Sequence, residues 1–327
     1  MKQAKLLVVG SFVMDLIVTT PRFPVKGETV LGMTYTTASG GKGANQAVQA
    51  ARVGAQVTMI GKIGQDAFGD AMLKSVEDAG VNVSRVLRSA TTPSAVGNVQ
   101  IEVENGQTNN RIIVVPGANM DITPDDVAFL KQEIANYDMV ILQLEIPMEI
   151  NCLVAQYAHD RGVPVMLNSA PFSPMPRELL ANITYISPNE HEAALMTGRE
   201  LNTDEDIRWA LQTIQDMGVC NALITLGSRG VAYLSEHGEM LVVPAAKNLT
   251  VKDPTAAGDS FVGAFCAAIC SGMKAEQALT FANYTAGVTC CHMGAQPSLP
   301  KLHQVYKLLE AQGIDTAAMK QVMKEDN

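Results

Sequence analysis

Several features that would narrow the function at once are missing from this sequence. Its six cysteines form no Cys-x-x-Cys pair and show no spacing typical of metal ligands, so neither a zinc module nor a disulfide framework is indicated. No run of about 18 uninterrupted apolar residues occurs, which argues against a membrane-spanning helix. The first apolar run, Leu6 to Val9, is too short for a signal peptide. These absences predict a cytoplasmic protein.

Positive charge is also in short supply. The chain has 24 Lys and Arg against 33 Asp and Glu, a net charge of −9 and a pI near 5.1. This balance argues against nucleic acid or an anionic membrane surface as the main partner. It does not exclude a small anionic substrate, because backbone amides and a few local cations can bind one. With 327 residues, 47% of them apolar, the chain is long enough for one large α/β domain or two small ones.

Short apolar runs followed by polar residues or glycine recur along the chain. The predicted strands are Leu6–Val9, Val57–Ile60, Met139–Leu144, Val163–Leu167, Ile183–Ile186 and Ala222–Thr225. From residue 120 onward they alternate with helical patterns, which is typical of a parallel sheet. The polar residues at their carboxyl ends indicate one shared cleft. No linker or repeat interrupts the pattern, so we predict a single domain over residues 1–327.

Two segments do not fit the alternating pattern. The first is residues 12–38, of which 20–38 are rich in Pro, Gly and Thr. The second is residues 94–115, which have strand-like patterning around Glu104-Asn105-Gly106, where Asn-Gly is a hairpin signal. We predict that these segments form a second, smaller β-sheet that acts as a lid.

The stretch Ala256-Ala257-Gly258-Asp259 opens a long apolar helix that continues to Cys270. The first amides of a helix have no intrahelical partner, so the N–H groups of Ala256, Ala257 and Gly258 predict an anion site, most often for phosphate. A carboxylate at Asp259 would repel that phosphate. Its presence is explained if it accepts a proton from a hydroxyl that attacks the phosphate. The alternative is an aspartate that only caps the helix.

A second glycine-rich stretch, Ser39 to Ala47, also runs into a helix. Its glycines allow the backbone to approach a ligand, and Lys42 and Asn45 can donate hydrogen bonds to it. The spacing matches neither a Walker loop nor a dinucleotide-binding fingerprint. Asp15, shortly after the first strand, is a candidate for binding sugar hydroxyls, or else a turn residue.

Both glycine-rich stretches resemble signatures of the ribokinase-like carbohydrate kinases, also called the PfkB family. Gly40-Gly41-Lys42-Gly43-Ala44-Asn45-Gln46 is similar to the N-terminal signature, and Asp253-Pro254-Thr255-Ala256-Ala257-Gly258-Asp259-Ser260-Phe261 to the C-terminal one. The likeness extends from Gly10 to about Pro300. It implies an α/β fold: a three-layer αβα sandwich with a mostly parallel central sheet and a small β-sheet lid.

The resemblance also implies a reaction. An enzyme of this family transfers the γ-phosphoryl group of ATP to the primary hydroxyl of a sugar, here expected to be D-ribose, which becomes ribose 5-phosphate. A related sugar, a deoxysugar or a nucleoside stays open as the acceptor. A sugar- or nucleotide-binding regulatory protein without catalysis is the alternative from another class, although the retained Asp259 argues against it.

The resemblance assigns expected roles to individual positions. The expected sugar-binding residues are Val13, Met14, Asp15, Gly41, Lys42, Gly43, Ala44, Asn45, Glu145 and Asp259. The expected nucleotide-binding residues are Asn189, Thr225, Leu226, Gly227, Ser228, Arg229, Gly230, Gly258 and Asn283. The catalytic set is Asp259 as the base with the amides of Ala256, Ala257 and Gly258.

Metal ions and a partner are implied as well. Glu192 is expected near Mg²⁺, directly or through water. A monovalent cation, K⁺, is expected at Asp253, Thr255, Thr289, His292, Gly294 and Ser298. The family usually has Thr where this chain has Pro254, which leaves the dependence on K⁺ open. Family members pair through their lids, and open sheet edges are often covered by a partner, so a homodimer is expected.

Overall fold

The computed structural model describes residues 3–104 and 107–323. The strands are β1 Lys5–Val9, β2 Val13–Thr20, β3 Thr34–Gly40, β4 Gln56–Gly64, β5 Asn82–Ser89, β6 Val96–Glu104, β7 Gln107–Val115, β8 Met139–Gln143, β9 Val165–Asn168, β10 Tyr185–Ile186, β11 Asn221–Thr225, β12 Val231–Leu234 and β13 Met240–Val243. The α-helices are α1 Lys42–Arg52, α2 Ala67–Asp78, α3 Pro124–Val127, α4 Leu130–Glu133, α5 Met148–Asp160, α6 Arg177–Leu180, α7 Glu190–Thr197, α8 Asp204–Asp216, α9 Ala257–Cys270, α10 Ala275–Cys290, α11 Leu302–Ala311 and α12 Ala317–Val322. Within this described part, no helix is long and apolar enough to cross a membrane.

Nine strands form the central sheet, in the order β13-β12-β11-β10-β9-β8-β1-β4-β5. Every neighbouring pair is parallel except those that include β12, which runs antiparallel to β11 and β13. The predicted mostly parallel sheet is therefore confirmed. The predicted strand Ile183–Ile186 is shortened to its last two residues, and the edge strand β5 was not predicted because its polar, arginine-containing sequence lacks an apolar run.

Alternate side chains of the buried strands enter separate apolar cores on the two faces of this sheet. In β1, Leu6 and Val8 belong to one core and Leu7 and Val9 to the other, as the two-residue repeat of a strand requires. Helices α1, α9 and α10 contribute to the first core, and α5 and α8 to the second. This arrangement is the three-layer αβα sandwich that was predicted.

A smaller sheet of four strands, in the order β3-β2-β6-β7, accounts for the two segments that did not fit the alternating pattern. Strands β6 and β7 pair antiparallel from Val96–Val115 to Glu104–Gln107, as expected for a hairpin. The predicted turn at Asn105-Gly106 lies outside the described residues. Through β2, this sheet connects directly to the end of β1, so it borders the carboxyl edge of the central sheet.

The helices α1 and α9 pack closely at one point, and this contact positions both glycine-rich stretches. A Cβ atom on Gly263 of α9 would lie 2.6 Å from the carbonyl oxygen of Gln46, so only glycine permits the observed separation. The consequence is that the first turn of α1 lies against the first turn of α9.

Candidate active site

A polar cleft of about 220 Å³ lies at the carboxyl ends of β9 and β11, where the helices α1, α7 and α9 begin. Its lining residues are Lys42, Asn168, Ala170, Ser187, Asn189, Glu192, Thr225, Pro254, Ala256, Ala257, Gly258 and Asp259. The residues come from segments more than 200 positions apart in the chain. Ligands of open α/β sheets collect at this edge, so the cleft is the candidate active site.

Asp259 is 6% exposed and lies in the first turn of α9. Its Oδ2 accepts a hydrogen bond from Nδ2 of Asn45 at 2.9 Å, and its Oδ1 accepts one from Nε2 of Gln46 at 3.0 Å. Its side chain caps no amide of α9, because the residue at the N-cap is Ala256. The carboxylate therefore faces the cleft and α1, which favours the general-base interpretation over helix capping.

The anion site at the start of α9 differs from the prediction in one respect. We expected three amides without partners, but the N–H of Ala257 donates to the carbonyl of Pro254 at 3.1 Å. This bond closes a turn in which Ala256 adopts the left-handed conformation, with φ 60° and ψ 9°. Among the described residues, no acceptor is bonded to the amides of Ala256 or Gly258, so these two remain available to an anion.

The glycine-rich loop before α1 also differs in part from the prediction. Gly43 and Ala44 were expected to contact the sugar, but their amides donate to Oγ and to the carbonyl of Ser11. A Cβ on Gly43 would lie 2.5 Å from the Ser11 nitrogen, so the glycine serves this close approach. Gly41, the N-cap of α1, has φ 94°, a conformation that glycine adopts without strain.

Asp15 is the polar side chain in the expected sugar-binding segment of β2. Val13 and Met14 are buried, and Met14 belongs to a hydrophobic core, so a contact of these two with the sugar stays a prediction. Asp15 is half-buried between the neighbouring strands, aligned with Ala38 and Gly97. A Cβ on Gly97 would lie 2.4 Å from an Asp15 oxygen, so glycine is required here to leave room for the carboxylate.

Asp15 and Glu145 form a second acidic group beside the glycine-rich loop. Burial, and then the negative charge of Glu145, raise the pKa of Asp15 from 3.8 to about 6. Oε2 of Glu145 accepts hydrogen bonds from the hydroxyl of Ser11 and from the Lys42 amide. Sequence reasoning missed Ser11, although its position in the turn after β1 is where a ligand-orienting hydroxyl would be expected.

Three charged or polar side chains surround the middle of the cleft. Burial opposes the charge on Lys42, but Asp259, Glu145 and Glu192 together outweigh it and raise the pKa of Lys42. Burial also raises the pKa of Glu192, although its bond to the amide of Asn189 opposes that change. Asn189 and Glu192 form a reciprocal capping box at the start of α7, so each has a structural role and still lines the cleft.

The expected nucleotide-binding residues divide into cleft and scaffold positions. Thr225 lines the cleft, and its backbone forms an isolated parallel β-bridge with that of Asn189. The side chain of Leu226 is buried in a hydrophobic core, so its expected contribution to nucleotide binding would come from its backbone. Gly230 packs so tightly that a Cβ would lie 2.0 Å from the Val243 carbonyl oxygen. The side-chain amide of Asn283 is also engaged within the protein, because its Nδ2 donates hydrogen bonds to the carbonyls of Val243 and Pro244.

Gly227, Ser228 and Arg229 form a single 3₁₀ turn after Leu226. Arg229 forms an ion pair with Glu190, which joins this turn to α7. The turn is exposed, as a nucleotide-binding surface requires.

The residues expected at a monovalent cation lie in two segments that contact each other: the loop before α9, and the stretch from the last turn of α10 to residue 298. Asp253 accepts from the amides of Thr255 and Gly294, and these bonds outweigh burial and lower the pKa of Asp253. The hydroxyl of Thr289 instead donates to that of Ser260 inside the core, so the Thr289 side chain is not a free ligand. The side chains of the remaining two residues form hydrogen bonds with nearby backbone carbonyls. Nδ1 of His292 contacts the carbonyl oxygen of Val288, and the hydroxyl of Ser298 donates to the carbonyl oxygen of Ala295.

Sequence reasoning also missed a set of buried amides behind Asp259. Gln46 contacts both Asn168 and Gln143, at 3.2 and 2.7 Å, and Asn168 in turn donates to the carbonyl of Ser187. A signal existed, since polar residues within apolar strand ends are unusual in a core and need hydrogen-bond partners.

The cleft combines unbonded helix amides, a lysine and a buried carboxylate at the edge of an α/β sheet, the set of groups expected of a phosphotransferase. Residues 3–302 match the pfkB family carbohydrate kinases. The chain is 40% identical over 302 residues to the ribokinase of Bacillus subtilis, covering 92% of this chain and 98% of that protein. It is 38% identical over 309 residues to the ribokinase of Schizosaccharomyces pombe, covering 92% and 96%.

A solved structure is similar in the same way. The ribokinase of Arabidopsis thaliana, complexed with ribose and ATP, superposes with a TM-score of 0.88 at 35% identity, over 94% of this chain and 99% of that one. The chain therefore belongs to the pfkB family of carbohydrate kinases. The family, the fold and carbohydrate kinase activity predicted from the sequence are confirmed.

Proposed function

We propose that this chain phosphorylates D-ribose at its 5-hydroxyl with ATP as the phosphoryl donor. The observation that carries this proposal is the position of Asp259, a buried carboxylate directly beside the unbonded amides at the start of α9. The similarity to several ribokinases, one of them with ribose and ATP bound, supports ribose as the acceptor and ATP as the donor.

In this mechanism, Asp259 accepts the proton of the sugar's primary hydroxyl as the oxygen attacks the γ-phosphorus, and the bond from the γ-phosphorus to the bridging oxygen breaks so that ADP leaves. The amides of Ala256 and Gly258, with the positive end of the α9 dipole, stabilise the charge on the transferred group. Lys42, whose ammonium is surrounded by carboxylates and lines the same cleft, is a further cation for the phosphate oxygens. Little covalent work is required of the protein, since positioning and charge stabilisation dominate phosphoryl transfer.

The sugar would lie between the glycine-rich loop and the small sheet. Asp15 and the free oxygen of Glu145 are acceptors for its secondary hydroxyls, and Asn45 has a buried Oδ1 without a partner among the described residues. An orphaned buried oxygen of this kind is satisfied if a ligand hydroxyl donates to it. Asn45 would thus connect the sugar to Asp259.

The residues present fit the implied metal ions. Mg²⁺ is held by one or two carboxylates together with substrate phosphates, and Glu192 has one oxygen outside its capping bond. When bound, Mg²⁺ would neutralise charge on the phosphates. For K⁺, no described donor reaches the carbonyl oxygens of Thr255 and Gly294, which suits a cation that takes carbonyl ligands. No cluster of three or more His, Cys, Asp or Glu that could hold a metal ion is found in the described part.

The test is a coupled assay of ATP consumption with ribose, deoxyribose, hexoses and nucleosides, with and without K⁺. We expect ribose to give the highest kcat/KM and the product to be the 5-phosphate by NMR. A clear preference for a nucleoside or for another sugar would contradict the proposed substrate. If ATP is not consumed with any of these acceptors, the kinase function itself is contradicted.

A homodimer through the small sheet is the proposed assembly. Both faces of β7 carry exposed apolar side chains, with Ile112, Ile113, Val114 and Val115 all at least half exposed. By strand pairing, Val114 shares a face with Asp15, whereas Ile113 aligns with Asn98 and Leu16 on the other face. Only one face can cover the sugar, so the other is available to a partner.

We expect a dimer by light scattering, and Ile113→Asp to shift it toward monomer. A monomeric parent at working concentration would contradict this proposal.

The six cysteines are all free in the structure, which supports a reducing compartment such as the cytoplasm.

A further inference from the structure

Gln46 lies directly behind the proposed base and has no exposed surface. It follows Asn45 in the chain, but the two side chains contact different oxygens of Asp259. Neither side chain lines the cleft, but Asn45 borders the region where the sugar would bind and Gln46 is fully buried. A role for Gln46 in the reaction would therefore act through the groups that it contacts, of which Asp259 is the proposed base.

Hydrogen bonding determines which end of the Gln46 amide faces Asp259. The Ser187 carbonyl can only accept, so Asn168 presents Nδ2 to it at 2.9 Å and turns Oδ1 toward Gln46. Gln46 must then present Nε2, which donates to Oδ1 of Asn168 at 3.2 Å and to Oδ1 of Asp259 at 3.0 Å. The opposite orientation would place oxygen against two acceptors.

Gln143 holds the other end of the same amide. Its Nε2 donates to Oε1 of Gln46 at 2.7 Å, and Gln143 is itself fully buried at the end of β8. The Gln143 side chain fills the space above Gly10, where a Cβ would lie 1.9 Å from its Oε1. Gly10 therefore allows Gln143 to reach Gln46, and rotation of the Gln46 amide would break bonds at both of its ends.

We propose that Gln46 is a positioning residue that holds the Asp259 carboxylate in the orientation needed for proton abstraction, with Gln143 and Asn168 fixing the Gln46 amide. This inference rests on the proposed function, in which Asp259 is the base. A fixed donor favours the charged form of a carboxylate. It also removes a rotational freedom that would otherwise have to be lost at each turnover.

The main test is Gln46→Met, which keeps the volume and removes the donor. We expect kcat for ribose to fall about 10- to 100-fold, the effect of losing one hydrogen bond to a charged group. The KM for ribose should change much less, because residue 46 does not line the cleft. The acid limb of the pH profile of kcat should move to higher pH, since the ionised form of Asp259 has lost a donor.

Gln46→Glu provides a stronger version of the same test. Two carboxyl groups at this separation cannot both ionise readily, so the acid limb should move up by about one pH unit or more. Gln49→Met is the matched control. Gln49 is equally buried one turn further along α1, and its amide contacts Ser260 and the Pro300 carbonyl instead of Asp259. It should lower stability without moving the acid limb.

If Gln46→Met does not fold, Gln143→Met tests the same positioning role. This variant keeps Gln46 but removes the hydrogen bond from Gln143, so the Gln46 amide is free to rotate. We then expect a smaller fall in kcat and a smaller shift in the same direction. An acid limb that stays at the parent's position in the folded variants, together with an unchanged kcat, would overturn the inference. A parent that phosphorylates no sugar is a separate result that overturns the proposed function, and it is seen before any variant is made.

Discussion

Replacement of Asp259 by alanine is the most direct perturbation of the site. In the parent, both carboxylate oxygens accept a buried amide N–H, from Asn45 at 2.9 Å and from Gln46 at 3.0 Å. Asp259→Ala removes the base and leaves these two donors without their partner. The change does not touch the amides of Ala256 and Gly258, nor Asp15 and Glu145, so of the groups proposed to bind phosphate and sugar only Asn45 loses a contact.

The expected loss in kcat is about 10²- to 10⁴-fold, the usual contribution of a general base. This corresponds to about 3 to 5 kcal/mol in the activation free energy. The effect on the free energy of unfolding should be smaller than the two lost hydrogen bonds suggest. Each unpaired donor costs about 1 to 3 kcal/mol, but removal of a buried carboxylate offsets part of that cost and the cleft admits water.

The assay is steady-state turnover at saturating ribose and ATP, with ribose and nucleotide affinities measured separately by calorimetry. We expect both affinities to stay close to those of the parent. Asp66→Ala is the control, because Asp66 caps α2 and accepts from the amides of Gly69 and Ser94, none of which lines the cleft. It should cost about 1 kcal/mol of stability and leave kcat unchanged. Turnover near the parent's value in Asp259→Ala would refute the base assignment.

Four further predictions concern three neighbouring residues. Burial and the charge of Glu145 raise the pKa of Asp15 to about 6, so the KM for ribose should increase as the pH falls through about 6. Asp15→Asn should abolish that pH dependence. A parent KM that does not depend on pH would contradict a sugar-binding carboxylate at this position. The raised pKa means that the folded state binds this proton more tightly than the unfolded state, so Asp15→Asn should also raise the melting temperature at neutral pH, with the gain lost as the pH falls from about 6 toward 3.8. Gly10→Ala should displace the Gln143 side chain and lower both the melting temperature and kcat, since its Cβ would lie 1.9 Å from Oε1; unchanged values would show that Gln143 can move freely. Asn189→Ala should cost about 1 kcal/mol in denaturant unfolding through loss of the α7 cap, and equal stability would argue against the capping box.

Local sequence was sufficient for the mostly parallel sheet. Apolar runs such as β1 and β8 are buried on both faces, as in a parallel sheet covered by helices, whereas the three-layer sandwich was predicted from the resemblance to the carbohydrate kinase family. The edge strand β5 was missed because an edge has less need of apolar residues. Glycine-rich stretches before two helices indicated where ligands approach the backbone, and Asp259 was identified because a carboxylate beside a phosphate site needs a chemical reason.

Tertiary structure decided which of the indicated residues can act. The sequence could not show that the Ala257 amide is bonded to Pro254, that Gly43 and Ala44 are bonded to Ser11, or that Asn283 holds two carbonyls. Each of these contacts joins atoms whose positions depend on backbone dihedrals or on distant segments. The same holds for Gln46, whose amide meets Asp259 from 213 positions away because α1 and α9 cross at Gly263. Local pattern fixes which elements form and where polar groups collect, but hydrogen bonds act over about 3 Å, so their partners are chosen only when the chain is packed.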